Sequence, residues 1–215
     1  MRNIMYVLGM LLLVGILIVN GVSYSFDRAI EAEMADTIEE PMVVAEDDGA
    51  SDGKYVWMEG EPLTGGGDQG WIEFKIDIPT AGTYALWGHV FVWDGNSDSF
   101  WVTWQPADPD EDAQVTKNTE YRWSIGTKNA WHWDRINHWL DGGTFDREWE
   151  LPAGESTLRI AVREDAAKID VVFITDNLSD NVDEVNPRFP GPEDVTPVEP
   201  QAKLTTTWGN LKSQW

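Results

Sequence analysis

The sequence predicts an all-β protein with the architecture of an antiparallel β-sandwich. About ten short segments have the alternating or β-branched apolar pattern of strands, and turn residues separate them at intervals of roughly 8–12 residues. Trp71–Ile78 is the clearest of them, because its even positions are Ile or Phe and positions 73, 75 and 77 are charged. No convincing amphipathic helix interrupts this pattern, so two packed antiparallel sheets are expected.

The chain begins with a short basic start and an apolar segment. Met1–Asn3 precedes Ile4–Val22, about 19 mostly apolar residues, which is the length of an export signal or an N-terminal membrane anchor. Residues 4–22 are expected to form a hydrophobic helix. Ser23 and Ser25 offer small residues at the two positions that a signal peptidase recognises, so cleavage and retention as a membrane tether both stay open. In either case the rest of the chain is expected outside the cytoplasm, secreted or in the cell envelope.

Three predicted strands precede a glycine-rich loop. They are Ala29–Asp36, Met42–Ala45 and Lys54–Met58. The loop at residues 64–70 lacks the Lys-Ser/Thr ending and the following helix of a phosphate-binding loop, which excludes that function.

The middle of the chain alternates strands with turns. Thr83–Trp93 is a long strand, and the turn Asp94-Gly95-Asn96 joins it to Ser99–Trp104. An acidic, proline-containing loop follows at Pro106–Asn118. The next predicted strands, separated by glycine-containing turns, are Glu120–Ser124, Trp131–Leu140 and Arg147–Leu151.

Two strands joined by a tight turn complete the sandwich and contain one unexpected charge. Leu158–Val162 alternates inward and outward residues, residues 164–167 form the turn, and Ile169–Thr175 is almost wholly apolar, as in a strand buried on both faces. Asp170 lies inside this last strand. A buried carboxylate must be paired, hydrogen-bonded or bound to a metal, so Asp170 is a candidate functional residue.

The composition changes after Asn177. Residues 186–201 contain five prolines and several acids, which indicates an extended linker. The stretch Lys203–Lys212 is too short to fold alone, and a docking tail and a disordered overhang both stay open. The predicted division is a signal or anchor at 1–25, a β-sandwich at 26–178, and a linker with a disordered C-terminal tail at 179–215.

Composition narrows the range of possible functions. A formal charge of −23, from 15 basic and 38 acidic residues, repels nucleic acid and anionic lipid and argues against both as partners. The absence of cysteine excludes disulfides, zinc-thiolate sites and thiol chemistry. Thirteen tryptophans offer flat π-faces, for which sugar rings are a common ligand. Core packing is the alternative for each of them, especially for Trp87, Trp101 and Trp133.

The sequence contains few candidate groups of catalytic residues. His132, Asp134 and His138 would share one face of a strand, but they would span about 20 Å at 3.3 Å per residue, too far for one ion. The sequence contains no Gly-x-Ser-x-Gly motif and no Cys nucleophile. It also gives no sign of the two carboxylates, about 5–10 Å apart, that a glycosidase needs. A non-catalytic protein is predicted.

Four segments together resemble the carbohydrate-binding modules of families 6 and 35, which are galactose-binding-like β-sandwich jelly rolls. The segments are Glu31-Ala32-Glu33, Gly70–Phe74 before Ile78-Pro79, Ala81–Tyr84, and Leu151–Gly154 through Ile169-Asp170. In this order and spacing they cover about residues 29–176. The resemblance implies a jelly roll that binds a polysaccharide or another glycan.

The resemblance also implies a structural Ca²⁺ site. In such modules a Glu-x-Glu pair on the first strand and an Asp on the last hold the ion. Here these positions are Glu31, Glu33 and Asp170, with main-chain oxygens near Lys54 as further ligands. Elementary electrostatics agree, because three carboxylates brought together without a cation repel one another and Ca²⁺ takes six to eight oxygens. The alternative is that the two glutamates face solvent and Asp170 caps a turn.

For the ligand, the resemblance implies two stacking aromatics in loops, which correspond here to Trp57 and Trp131. Lys168 stands where such modules often carry an Asn, two residues before the calcium-binding Asp. An ammonium there would suit an acidic sugar such as a uronate. Neighbouring residues that could extend the site are Trp93, Asn96 and Trp139.

The sequence therefore predicts an exported, non-catalytic module that stacks a sugar on loop tryptophans and is stabilised by Ca²⁺. The alternative is a cell-surface or matrix structural and interaction domain of the same fold without sugar binding. The two differ in whether Trp57 and Trp131 are exposed on one concave face.

Overall fold

The computed structural model describes residues 25–61, 66–105, 120–140 and 143–194. The predicted N-terminal helix with its cleavage site, the whole acidic loop Pro106–Asn118, and the C-terminal tail beyond residue 194 lie outside these ranges. Among the described residues, no helix is long and apolar enough to cross a bilayer.

Antiparallel strands dominate the described residues. They are β1 Asp27–Glu31, β2 Thr37–Ile38, β3 Met42–Glu46, β4 Lys54–Met58, β5 Trp71–Ile78, β6 Gly82–Phe91, β7 Ser99–Gln105, β8 Glu120–Ser124, β9 His132–Arg135, β10 Asn137–Leu140, β11 Gly143–Asp146, β12 Glu148–Leu151, β13 Gly154–Val162 and β14 Lys168–Thr175. Two 3₁₀ turns, Ala32–Met34 and Ser51–Gly53, and one short helix, α1 Val182–Val185, accompany them.

The strands form two main sheets, which confirms the predicted β-sandwich. One sheet has the order β12-β6-β14-β4-β3, with β1 also paired to β14 and β9 to β6. The other has the order β2-β5-β13-β7-β8, and β10 and β11 form a separate pair. The predicted alternation of β5 is confirmed, because its Ile and Phe side chains are buried in the core between the sheets. Trp123 on β8 packs over Gly88 on β6, where a Cβ atom would lie 2.2 Å from the indole.

Strand β14 is buried along its whole length, as predicted, and carries a bulge at Asp170. Ile169, Val172 and Ile174 belong to the main core, whereas Val171 and Phe173 pack on the opposite face of the sheet. Strict alternation would place residues 169 and 171 on one face. The pairing of β14 with β6 shifts register between these two residues, so one extra residue, Asp170, is inserted there.

Two predicted strands differ from the structure. The segment predicted at Ala29–Asp36 ends as a strand at Glu31 and continues as a 3₁₀ turn, so Glu33 does not share a strand face with Glu31. Met34, in the same turn, is 71% exposed. The segment Trp131–Leu140 is two strands, because β9 pairs with β6 while β10 leaves that sheet to pair with β11.

The folded region extends beyond the predicted boundary at residue 178. Residues 182–194, here called the C-terminal strap, pack across the outer face of the seven-stranded sheet. Val185 joins the apolar cluster of Val171 and Phe173 there. The ring of Phe189 contacts the rings of His89 and Trp133 at centroid distances of 5.0 and 5.7 Å.

Charged groups fasten the end of the strap. Arg188 forms ion pairs with Asp194 and Glu193. Asp194 also accepts a hydrogen bond from the backbone N–H of Ala29 on β1, at 3.0 Å. Pro187, Pro190 and Pro192 therefore belong to the folded strap, with Pro187 buried, instead of forming an extended linker.

The strap should contribute to stability. A chain ending at residue 178 loses the burial of Val185 and the partial burial of Phe189, and leaves the outer cluster open to water. We expect it to unfold at lower urea concentration than a chain ending at residue 194, by about 2–4 kcal/mol in unfolding free energy. Equal midpoints for residues 26–178 and 26–194 would contradict this account.

Candidate functional site

Asp170 is fully buried, and only one of its oxygens is satisfied. Oδ2 accepts hydrogen bonds from the backbone N–H of Ser51, at 2.9 Å, and lies 2.5 Å from Nδ1 of His89. Oδ1 is buried without a hydrogen-bond partner. A carboxylate oxygen without a donor is costly to bury, so the second oxygen requires an explanation.

Glu31 and Glu33 lie close to Asp170, and each also has one carboxylate oxygen that lacks a hydrogen-bond partner. Oε1 of Glu31 accepts from the hydroxyl of Ser51 at 2.7 Å, whereas Oε2 of each glutamate is buried without a partner. Burial, reinforced by the charges of Asp170 and Glu33, raises the pKa of Glu31 to about 7. Burial and the charge of Asp170 also raise the pKa of Glu33, against the opposing charge of Lys54. These three residues form what we call the carboxylate cluster.

The side chains of the carboxylate cluster do not converge on one point. Across the described ranges, no three His, Asp or Glu side chains are placed to ligate a single ion. Each member nevertheless presents one buried, acceptor-only oxygen without a donor. The chemistry of this donor set, three carboxylates, fits a hard cation.

Aromatic rings from three separate segments surround the ammonium of Lys168. The distances from Nζ to the ring centroids are 4.5 Å for Tyr55, 4.9 Å for Phe91, 5.4 Å for Trp93, 5.8 Å for Trp57 and 5.9 Å for Trp131. The three tryptophans are half-buried. We call these five rings the aromatic cup. Cross-strand pairing explains part of it, since Lys168 lies opposite Trp57 on β4 and Phe91 on β6.

Lys168 is itself buried and paired. Nζ donates to Oδ2 of Asp47 at 3.0 Å. Burial would raise the pKa of Asp47, but hydrogen bonds from the backbone of Gly49 and from Lys168, together with the charge of Lys168, hold it below its usual value. Asp47 is therefore the counter-ion of the buried ammonium.

The structure thus brings four of the five predicted ligand residues together: Trp57, Trp93, Trp131 and Lys168. Asn96 lies apart from the rings around Lys168, exposed in the turn after Trp93, where its backbone N–H donates to Oδ1 of Asp94 at 2.7 Å. Trp139 lies elsewhere, beneath the guanidinium of Arg122 at 4.1 Å.

Sequence reasoning missed two residues that connect these features. His89, which contacts Asp170 through Nδ1, also stacks on Trp131 with a centroid distance of 5.3 Å and an interplanar angle of 20°. It therefore links the carboxylate cluster to the aromatic cup. The available signal was a lone histidine in the otherwise apolar centre of β6. Gly49 permits Trp131 to lie against the acidic loop, because a Cβ atom there would be 2.6 Å from Cδ1 of the indole.

The remaining described tryptophans have other roles. Trp87, Trp123 and Trp149 are buried in the two apolar clusters, as the core alternative predicted for Trp87. Trp71 and Trp101 line a cleft of about 440 Å³ on the outer face of the five-stranded sheet. Arg159 covers the first of these rings at 4.6 Å and Arg163 the second at 5.7 Å.

Among the described residues, Asp98 and Glu164 form the carboxylate pair that most resembles a catalytic dyad. Burial raises the pKa of Asp98 to about 7, with the adjacent charge of Glu164 adding to the effect. Glu164 accepts from the hydroxyl of Ser99 at 2.7 Å and from the backbone of Asp98 at 3.0 Å. The two carboxyl groups are in hydrogen-bond contact, which is closer than the separation of about 5 Å or more in glycosidases.

Several carbohydrate-binding modules of known structure are similar in fold. A family 35 module from Clostridium thermocellum has a TM-score of 0.47 and 16% identity, over 69% of this chain and 97% of that one. A C-terminal family 6 module of a laminarinase from Zobellia galactanivorans has a TM-score of 0.45 and 15% identity, over 70% and 99%. A family 35 module from Paenibacillus barcinonensis has a TM-score of 0.47 and 17% identity, over 68% and 96%.

These structural neighbours belong to the two families that the sequence resembles. At these identities and TM-scores the similarity describes the fold and carries no conclusion about the ligand. Comparison of the sequence with protein-family profiles and with curated proteins gives no match.

The shared proton of Asp98 and Glu164 should be visible in the pH dependence of stability. Because the folded-state pKa of Asp98 is raised from 3.8 to about 7, the folded chain binds the extra proton in this interval. The unfolding free energy should therefore fall as the pH rises from about 4 to about 7. Asp98→Asn, which mimics the protonated form, should make this slope shallower in denaturant titrations and leave the part that the raised pKa of Glu31 contributes. An unchanged slope would show that the proton is bound by a group other than Asp98.

Proposed function

We propose that this chain is an exported, non-catalytic carbohydrate-binding module that stacks a sugar on its aromatic cup. The observation that carries the proposal is the convergence of Trp57, Trp93 and Trp131, from three separate segments, around one point. Pyranose rings have apolar C–H faces, and indole offers them a large, rigid contact area at little cost in conformational entropy. The partial exposure of all three rings leaves contact area for a ligand.

A structural Ca²⁺ ion at the carboxylate cluster is part of the proposal. Glu31, Glu33 and Asp170 would each supply the oxygen that lacks a donor, and main-chain oxygens near Lys54 and water would complete six to eight ligands. The bound ion would neutralise the mutual repulsion of the three carboxylates. Its binding would displace the proton that Glu31 retains near neutral pH.

Export and the lack of catalysis are proposed on sequence and geometry. The apolar segment Ile4–Val22 after a basic start supports export or tethering at the cell surface. The Asp98–Glu164 contact is closer than the separation of the two carboxyl groups that glycoside hydrolysis needs. A polysaccharide or other glycan outside the cytoplasm is the proposed partner.

A second candidate function is a surface scaffold of the same fold without sugar affinity. The observation that favours it is the position of Lys168, whose side chain already contacts the inner faces of the aromatic rings. In this case the cup would serve only to hold the loops together. Measurements of Ca²⁺-dependent stability and of polysaccharide binding distinguish the two functions.

Calcium should stabilise the folded chain. After removal of metal with a chelator, added Ca²⁺ should raise the melting temperature, because an ion that binds only the folded state adds about 2.7 kcal/mol at one hundred times its Kd. Asp170→Asn should abolish the rise, whereas Glu155→Gln, on an exposed part of β13, should retain it. A melting temperature that does not change when Ca²⁺ is added would refute the metal site.

Trp131→Ala should abolish polysaccharide binding without unfolding the protein. We expect retardation of the wild type in native gels that contain a polysaccharide, and at least about tenfold weaker retardation of the variant, or ~1.4 kcal/mol. Trp101→Ala is the matched control, since it removes a half-buried tryptophan from the outer face of the other sheet. A Ca²⁺-dependent rise in melting temperature without retardation by any polysaccharide would favour the scaffold.

A further inference from the structure

Lys168 is the only described ammonium that lies among the rings of the aromatic cup, and it is closed off from solvent. The residue is 7% exposed, and its charge is balanced by Asp47 at 3.0 Å. An anionic ligand would have to replace this contact, which is already made inside the fold. The position of Lys168 is therefore poor for direct contact with a uronate carboxylate.

The same ammonium contacts rings from separate parts of the chain, and these rings also contact one another through Tyr55 and Phe91. Trp57 belongs to β4, Trp93 to the turn after β6, and Trp131 to the segment before β9. Attraction between a cation and the faces of aromatic rings acts over the 4.5–5.9 Å distances found here. One internal cation thus adds to the direct ring contacts that set the spacing of three tryptophans, and a platform ordered in advance loses less entropy when it binds.

The charge around the cup also disfavours an acidic ligand. The Lys168–Asp47 pair is neutral, and Asp47, with its side chain 30% exposed, is the more accessible partner. Asp48 and Asp94 carry further negative charge on adjoining loops, in a chain of net charge −23. A polyuronate approaching this surface meets carboxylates before it meets the ammonium.

We infer that Lys168 is a positioning residue that holds the aromatic cup without touching the ligand, and that the cup selects neutral polysaccharides over acidic ones. This inference rests on the proposed sugar-binding function and names its ligand class. It replaces the sequence-based expectation that Lys168 recognises a uronate.

Three variants of the Ca²⁺-saturated chain test the inference. Lys168→Met keeps the length of the side chain but removes the charge, Lys168→Arg keeps the charge, and Asp47→Asn leaves the ammonium without its counter-ion. Their tryptophans are labelled with 5-fluorotryptophan and observed by ¹⁹F NMR without ligand. Binding is measured to laminarin and linear β-1,4-xylan, which are neutral, and to polygalacturonate, at 50 and 500 mM salt.

In Lys168→Met we expect shifted or broadened resonances of Trp57, Trp93 and Trp131, with the core tryptophans unchanged. Binding to the neutral polymer that the wild type prefers should fall about tenfold and stay independent of salt, with a smaller loss in Lys168→Arg. Asp47→Asn should acquire salt-sensitive binding to polygalacturonate, because its ammonium is no longer balanced.

Two results would overturn the inference. Unchanged cup resonances in Lys168→Met would show that the cation does not hold the rings. Preferential, salt-sensitive binding of wild type to polygalacturonate, lost in Lys168→Met, would show direct contact with an acidic sugar while leaving the proposed function intact. If the wild type binds none of the polymers, the neutral-ligand assignment and the proposed function both fail, and the NMR comparison still decides the positioning role. If Lys168→Met does not fold, the comparison uses Lys168→Arg and Asp47→Asn.

Discussion

The buried carboxylate of Asp170 determines how the functional end of this sandwich is arranged. It stands on a strand that is covered on both faces, where any unpaired charge is costly. The structure satisfies one of its oxygens with the backbone of Ser51 and the ring of His89. The first of these contacts fixes the loop after β3, and the second fixes the platform on which Trp131 stacks. The bulge at Asp170 is the local distortion that accommodates it.

The local sequence pattern was sufficient to predict most strands of the fold. The predicted bounds of Lys54–Met58, Trp71–Ile78 and Glu120–Ser124 agree with the structure to the residue, because each segment has the period or composition of a strand packed on one apolar layer. The strand predicted to be buried on both faces is also found as β14. Errors arose where tertiary contacts decide the conformation. The 3₁₀ turn that carries Glu33 and the strap that carries Phe189 both depend on partners far away in sequence.

The candidate site was only partly accessible to sequence reasoning. Trp57 and Trp131 could be proposed from the resemblance to carbohydrate-binding modules and Trp93 from its place at a neighbouring turn, and the structure brings the three together. The environment of Lys168 could not be proposed, since its counter-ion Asp47 is 121 residues distant in sequence. The link through His89 was hidden for the same reason: a strand pattern shows which face a side chain occupies but not its neighbour across the sheet.

The strap and β1 together determine how the domain would respond to tension. Ser25 and Phe26 at the start of the described chain are hydrogen-bonded to Asp176, just beyond the end of β14, and Asp194 at its end is hydrogen-bonded to Ala29. A force applied between these two ends therefore acts on β1 and its flanking contacts before it reaches the core. The carboxylate cluster begins at Glu31, the last residue of β1, so mechanical load would reach this cluster early. The aromatic cup lies on β4, β6 and the loops beyond them, and would be disturbed later.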